Sequence, residues 1–289
     1  MKKILWIWVV LVLVLGSCRR SPMADSSQRV SSDSLLAQAT PVPYPEVPWL
    51  ARLTGFFGST KQAERFAQWA FTAYNDSLYT LAVYYCDCAL ACNYRFWPAY
   101  HIRGFVHYMQ CDYEAAADDY EHVLRLNKHR DYFLLEGGDT LTCLDCAVCL
   151  AYSYCSLARY TDAVEFVKSQ FTYFPGDYQL IESLSWAYTM LGNFPLAGKW
   201  ANKIVDRDPF YAHFLLGYNA EQQGRLGIAI QNYLKALEIN PESASIMYNL
   251  ANVYWAHDEK EESLAWRLKA ARLGDPNSQA WLRSQSMDW

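Results

Sequence analysis

An all-α solenoid of about six stacked helix–turn–helix units is the fold this sequence predicts, and three regularities predict it. The 34 residues 210–243 hold two apolar patterns at helical spacing, then stop at Pro241, and the arrangement recurs along the chain. One place in each first helix is always small, which lets two helix backbones approach closely. Prolines at 175, 209 and 241 fall where three units end, because proline cannot continue a helix. A unit built this way buries little alone and a great deal by stacking.

The units start at Ala63, Trp97, Leu144, Tyr178, Phe210 and Ala244, in steps of 34, 47, 34, 32 and 34 residues. In each first helix the fourth, seventh, eighth and eleventh residues share one face. These are Phe66, Trp69, Ala70, Ala73; Tyr100, Arg103, Gly104, His107; and Ala147, Leu150, Ala151, Tyr154. The later units place Ile181, Leu184, Ser185, Tyr188; His213, Leu216, Gly217, Ala220; and Met247, Leu250, Ala251, Tyr254 there. The second helices answer with Ala82, Cys86, Ala89; Ala116, Tyr120, Val123; Ala163, Val167, Gln170; Ala197, Ala201, Ile204; Ala229, Tyr233, Ala236; and Ser263, Arg267, Ala270. Arg103 and His107 on a packing face, and Ser263 and Arg267 in the last unit, are departures from the pattern.

This register resembles the tetratricopeptide repeat family from Ala63 to about Asn277. The resemblance implies a right-handed superhelix whose first helices line a concave groove for extended peptides or partner helices. The stripe it assigns to that groove holds Phe71, Phe105, Tyr152, Trp186, Tyr218 and Asn252 at the ninth places, five rings in six. Tyr74, Tyr108 and Trp255 stand at twelfth places, and His101, Phe214 and Tyr248 at fifth places. The ten aromatic residues of this set are the candidate partner-binding groove, since rings offer broad contact at low entropy cost. The competing expectation is that they pack against neighbouring helices. The family's grip on C-terminal tails uses Lys and Asn in the first helices. This face carries no lysine or arginine, so a carboxylate clamp is disfavoured.

The N-terminus has its own logic. Residues 1–17 read as an export signal: Lys2-Lys3, an apolar run from Ile4 to Leu15, then Gly16-Ser17. Twelve apolar residues are too few for a comfortable bilayer span. Leu15-Gly16-Ser17-Cys18 resembles the bacterial lipobox, which implies lipidation of Cys18 and anchoring to a membrane; Arg19 next to it favours the outer membrane, facing the periplasm. Residues 18–48 form a Ser- and Pro-rich tether able to reach about 100 Å at full extension. Residues 49–62 are expected as a helical cap. Residues 63–130 carry units 1 and 2, and 131–143 an insertion. Units 3 to 6 occupy 144–277, and 278–289 a closing helix, with Asn277 as its expected cap and Trp281 and Leu282 covering the stack. In the insertion, the second helix of unit 2 is expected to run on through Leu134-Leu135 and turn at Gly137-Gly138, as a tolerated loop or as a contact made by Phe133, Leu134 and Leu135.

Without Lys2 and Lys3 the 25 basic residues fall to 23 against 30 acidic, a formal charge of −7. No basic stripe is present, so nucleic acid is not an expected partner. Eight cysteines other than Cys18 all lie in units 1 to 3. Packed thiols, disulfides among 105 pairings, and metal ligation through Cys143, Cys146 and Cys149 are the readings they allow, and no metal or cofactor is assigned. No phosphate loop, His-Glu-x-x-His or nucleophile elbow occurs, so no catalytic residue is assigned. Glu182 and Glu221 are expected on a solvated face. The function expected is a non-catalytic, lipid-anchored scaffold or adaptor for other envelope proteins, with a second copy of the chain compatible as partner. Glycan or peptidoglycan binding is the alternative, and a hydrolase the remote one.

Overall fold

The computed structural model describes residues 60–127, 132–135 and 138–289. The export signal, Cys18, the tether and the cap up to residue 59 lie outside the described residues. Within them the chain forms thirteen helices and one two-stranded hairpin, an all-α repeat fold apart from that hairpin.

Unit 1 is α1 (Thr60–Asn75) and α2 (Tyr79–Cys92), and unit 2 is α3 (Trp97–Met109) and α4 (Tyr113–Asn127). The hairpin is β1 (Tyr132–Leu134) with β2 (Thr140–Thr142). Unit 3 is α5 (Cys143–Ser156) and α6 (Tyr160–Gln170), and unit 4 is α7 (Tyr178–Met190) and α8 (Phe194–Asn202). Unit 5 is α9 (Pro209–Gln222) and α10 (Leu226–Ile239), and unit 6 is α11 (Ala244–Ala256) and α12 (Lys260–Arg272). A closing helix α13 (Pro276–Ser284) follows.

Inside each unit a small residue receives its neighbour's ring or backbone. A Cβ placed on Gly217 would stand 2.8 Å from Tyr233 Cδ1 and Cε1, and one on Gly104 would stand 3.2 Å from Tyr120 Cε1. Where serine occupies the notch it spans the two helices: Ser185 Oγ donates to the Ala197 carbonyl at 2.9 Å, and Ser263 Oγ to that of Ala251 at 2.7 Å. Ser263 therefore keeps the pattern from which it departs in sequence. Between units, Tyr154 on α5 donates to Glu121 Oε1 on α4 at 2.7 Å.

Each first helix packs on the second helix of the unit before it, and α1, α3, α5, α7 and α9 also pack on one another in series. The second helices do not pack on one another in this way, so the stack curves toward its first helices. In the last unit α11 packs chiefly on α10 and α12, while sharing a core cluster with α9.

Several expectations are corrected. Trp69 is 47% exposed, edge-on to Phe66 and tilted against Tyr85 rather than buried. Arg103 is half-buried and held by two Asp119 oxygens, Nε at 3.0 Å and Nη2 at 2.7 Å, with Asp87 on Nη1. A charge on a packing face is tolerated because α2 and α4 both supply a carboxylate. Unit 2 does not run on as a helix through Leu134-Leu135: that segment is extended, with Phe133 opposite Leu141 in an antiparallel pair. Phe133 meets Phe96 edge-on at 5.5 Å, and Leu135 and Leu141 are buried in the core of units 1 and 2. Thr142, the last hairpin residue, caps α5 in a reciprocal box with Asp145. The insertion is a strut from the first core into unit 3, and of Phe133, Leu134 and Leu135 only Leu134 is exposed. Pro209 opens α9 instead of ending a unit, and α13 is capped by Asp275, not Asn277, through a 2.6 Å bond from Ser278 N.

Candidate interaction surface

The ten candidate residues do lie on the first helices, on the side toward which the stack curves, but most of them are closed. Tyr108, Tyr152 and Tyr218 are buried at 1%, 4% and 8% exposure, which corrects the expectation that they face an open groove. Phe71, Tyr74, Phe105, Trp186, Phe214 and Tyr248 are half-buried, and Trp255 alone is exposed, at 47%.

The physical cause is the close packing of successive first helices. Tyr74 meets Phe105 edge-on at 5.1 Å across units 1 and 2. Trp186 stacks on Tyr218 at 4.5 Å across units 4 and 5, with Phe214 6.4 Å from both. Tyr218 reaches back to Met190 Sδ at 3.6 Å. The rings join successive units through unit 5, and of the ten only Trp255 on α11 is exposed. Tyr248, Asn252 and Trp255 form the open end of the stripe, with Trp281 of α13 edge-on to Trp255 at 5.8 Å.

Glu182 is likewise not solvated. It is 6% exposed, beside Tyr152, and burial first, then the Asp208 and Asp177 carboxylates, raises its carboxyl to about 8. Glu221 accepts from the Tyr233 hydroxyl at 2.6 Å. His101 is buried, and desolvation lowers it to about 4. These groups are members of the stack, held by burial and by hydrogen bonds to neighbouring rings.

Cys86, Cys88, Cys143, Cys146 and Cys155 are buried, Cys92 and Cys149 half-buried and Cys111 exposed. Burial pushes the Cys86, Cys146 and Cys155 thiols up. Among the described residues no three ligating side chains are placed to hold a metal, and no helix is long and apolar enough to cross a membrane.

Two stretches match known repeat families: residues 97–130 the tetratricopeptide repeat, and residues 222–258 the TPR repeat. No curated protein matches the chain. Among solved structures, the chain is similar to Cut9-Hcn1, a hetero-tetramer of APC/C, at 14% identity and a TM-score of 0.60 over 77% of this chain. That match spans only 42% of the length of the other chain. A tetratricopeptide repeat protein from Parabacteroides merdae gives 13% identity and 0.60, covering 75% of this chain and 81% of that one. PilW, a type IV pilus biogenesis factor, gives 15% and 0.60, covering 76% and 98%. The fold is that of a tetratricopeptide-type solenoid, and both matched stretches are repeats of that kind.

The sequence reading named two residues at this end without giving them a role. Asn252 and Arg267 come together there, and each stands in sequence as an exception to its column: the one ninth place without a ring, and a charge in a second-helix packing place.

Proposed function

We propose that the protein is a membrane-anchored, non-catalytic scaffold that gathers other envelope proteins on the first-helix face of its stack. The observation that carries this reading is the open aromatic end of that face: Trp255 is 47% exposed, with the half-buried Tyr248 and Trp281 at the same end. Rings of this kind suit protein partners, because they present large, rigid, amphipathic contacts. Solenoids of this fold serve assembly elsewhere: Cut9 is found in a hetero-tetramer with Hcn1, and PilW is a biogenesis factor. Anchoring rests on the apolar run from Ile4 to Leu15 and the lipobox ending at Cys18.

The test is capture of detergent-solubilised envelope by the full chain, compared with a Tyr248→Ala/Trp255→Ala variant. Loss of captured proteins in the variant supports the scaffold. An unchanged set of proteins excludes this face, and unchanged proteins with lost polysaccharide retention select glycan binding instead. Cys18→Ala is expected to move the protein from the membrane to the soluble fraction; retention in the membrane removes the lipid anchor.

A further inference from the structure

The second helices put Cys86, Tyr120, Val167, Ala201 and Tyr233 where α12 has Arg267. Arg267 is 5% exposed. Its guanidinium lies 4.5 Å from the Trp281 ring centre and 5.8 Å from that of Tyr248. Nη2 donates to Asn252 Oδ1 at 2.7 Å, while the buried Nε has no acceptor. No ion pair among the described residues includes Arg267. The acid that acts on it most, Asp275, is occupied in capping α13.

A buried charge costs several kcal/mol unless it is paired. Lysine can escape by releasing a proton, but a guanidinium does not. Burial lowers the proton affinity of Arg267 and leaves the charge in place, with two rings and one neutral amide against it and the Asp275 carboxylate acting from beyond ion-pair distance. No ion pair within the described fold reaches this guanidinium, and its Nε lacks an acceptor, at the end of the first-helix face where Trp255 is exposed.

We propose that Arg267 and Asn252, framed by Tyr248, Trp255 and Trp281, receive a side-chain carboxylate from an extended segment of a partner protein. The inference rests on the scaffold reading and deepens it. A single buried cation matches a single negative charge, and the planar fork of N–H donors matches carboxylate geometry. Asn252 has its oxygen committed to Arg267, which leaves its amide NH2 to donate to the same carboxylate. The half-exposed Trp255 gives the residues flanking that acid a flat surface on which to lie. The donor comes from a second helix, so the absence of basic residues in the first helices does not exclude it.

The test uses blocked nonapeptides, acetylated and amidated, on an array in matched pairs with Glu or Gln at the centre, probed with the full chain. Glu members are expected to be retained about tenfold better than their Gln partners, the scale of one charge-assisted bond. Arg267→Met brings the pairs to parity, and Arg267→Lys does not restore the preference. Asn252→Ala leaves the guanidinium in place and reduces the preference about threefold, on the scale of a neutral bond. Trp255→Ala weakens both members equally. Peptides whose only carboxylate is the C-terminus are expected to bind no better than their amides. Equal retention of Glu and Gln peptides overturns the inference and leaves the scaffold standing. So does a Glu preference that survives Arg267→Met, or a C-terminal carboxylate that binds as well. Retention of no peptide by the unmodified protein overturns both the inference and the groove reading.

Discussion

At the scale of single residues, the fit between a notch and a ring sets the strictest demand on this sequence. Gly217→Ala would drive a methyl into Tyr233 at 2.8 Å, and the ring has no free side toward which to move, being buried and tied to Glu221. Overpacking of this kind costs about 1–3 kcal/mol, against a helix-propensity gain of about 1 kcal/mol. Urea denaturation is expected to show a lower midpoint for Gly217→Ala and an equal or higher one for Gly227→Ala, whose added Cβ meets nothing within 4 Å. Glu182 makes stability depend on pH. Its folded value of about 8 stands above the ordinary 4.5, so between these values the native chain holds a proton that the unfolded chain has released. The contribution is complete below pH 4.5 and is lost as pH rises to 8, at up to about 1.4 kcal/mol per unit. His101, lowered from 6.5 to about 4, acts with the opposite slope and only below 6.5. Unfolding free energies measured from pH 6.5 to 8 are therefore expected to fall for the native chain and to be flatter in Glu182→Gln. Parallel slopes would mean that Glu182 is ionised in the fold.

The hairpin shows what an element adds that a repeat does not. One face of it, Phe133, Leu135 and Leu141, completes the core of units 1 and 2, and its end caps the first helix of unit 3. Leu135→Ala is expected to cost about 2–4 kcal/mol, as a large-to-small change in a core. Leu134→Ala, at 61% exposure, should stay within about 0.5 kcal/mol. Thermal unfolding of the two variants measures the difference, and equal effects would contradict the strut. Position 103 makes a similar point. The bidentate Arg103–Asp119 pair joins the helices of unit 2, and Asp119→Ala leaves the guanidinium to the exposed Asp87 carboxylate alone. The expected cost is about 1.5–3 kcal/mol, the scale of a hydrogen bond to a charged group, because Asp87 remains and Arg103 keeps 23% of its side chain exposed.

For the whole molecule, stability is a sum of units and of the contacts between neighbours. Units 2 to 4 share one core of buried rings and small residues, whereas α11 packs chiefly on α10 and α12 and less on α9 than the earlier first helices pack on their predecessors. Native-state hydrogen exchange is expected to find lower opening free energies for α11 to α13 than for α5 to α7. Uniform protection along the stack would show a single cooperative body instead. On that expectation the open end of the stripe is also the loosest end, where a partner's binding energy has the most to add.

The period of the chain was legible because helix geometry is local: 3.6 residues per turn places the fourth, seventh, eighth and eleventh residues on one face whatever lies beyond. That was enough for the all-helical repeat and for the small notch filled by Tyr233 or Tyr120. The form of the insertion was not legible, because Phe133 pairs with Leu141 only when both find the core of units 1 and 2. Nor was the fate of the aromatic stripe. An angular position says which way a ring points, but the spacing of successive first helices decides whether it meets solvent or another ring. Tyr152 and Tyr218 are enclosed by that spacing, and Trp255 is released where it ends. The pairing of Arg267 with Asn252 joins two exceptions fifteen residues apart, and only the packing of α12 under α11 turns them into one site.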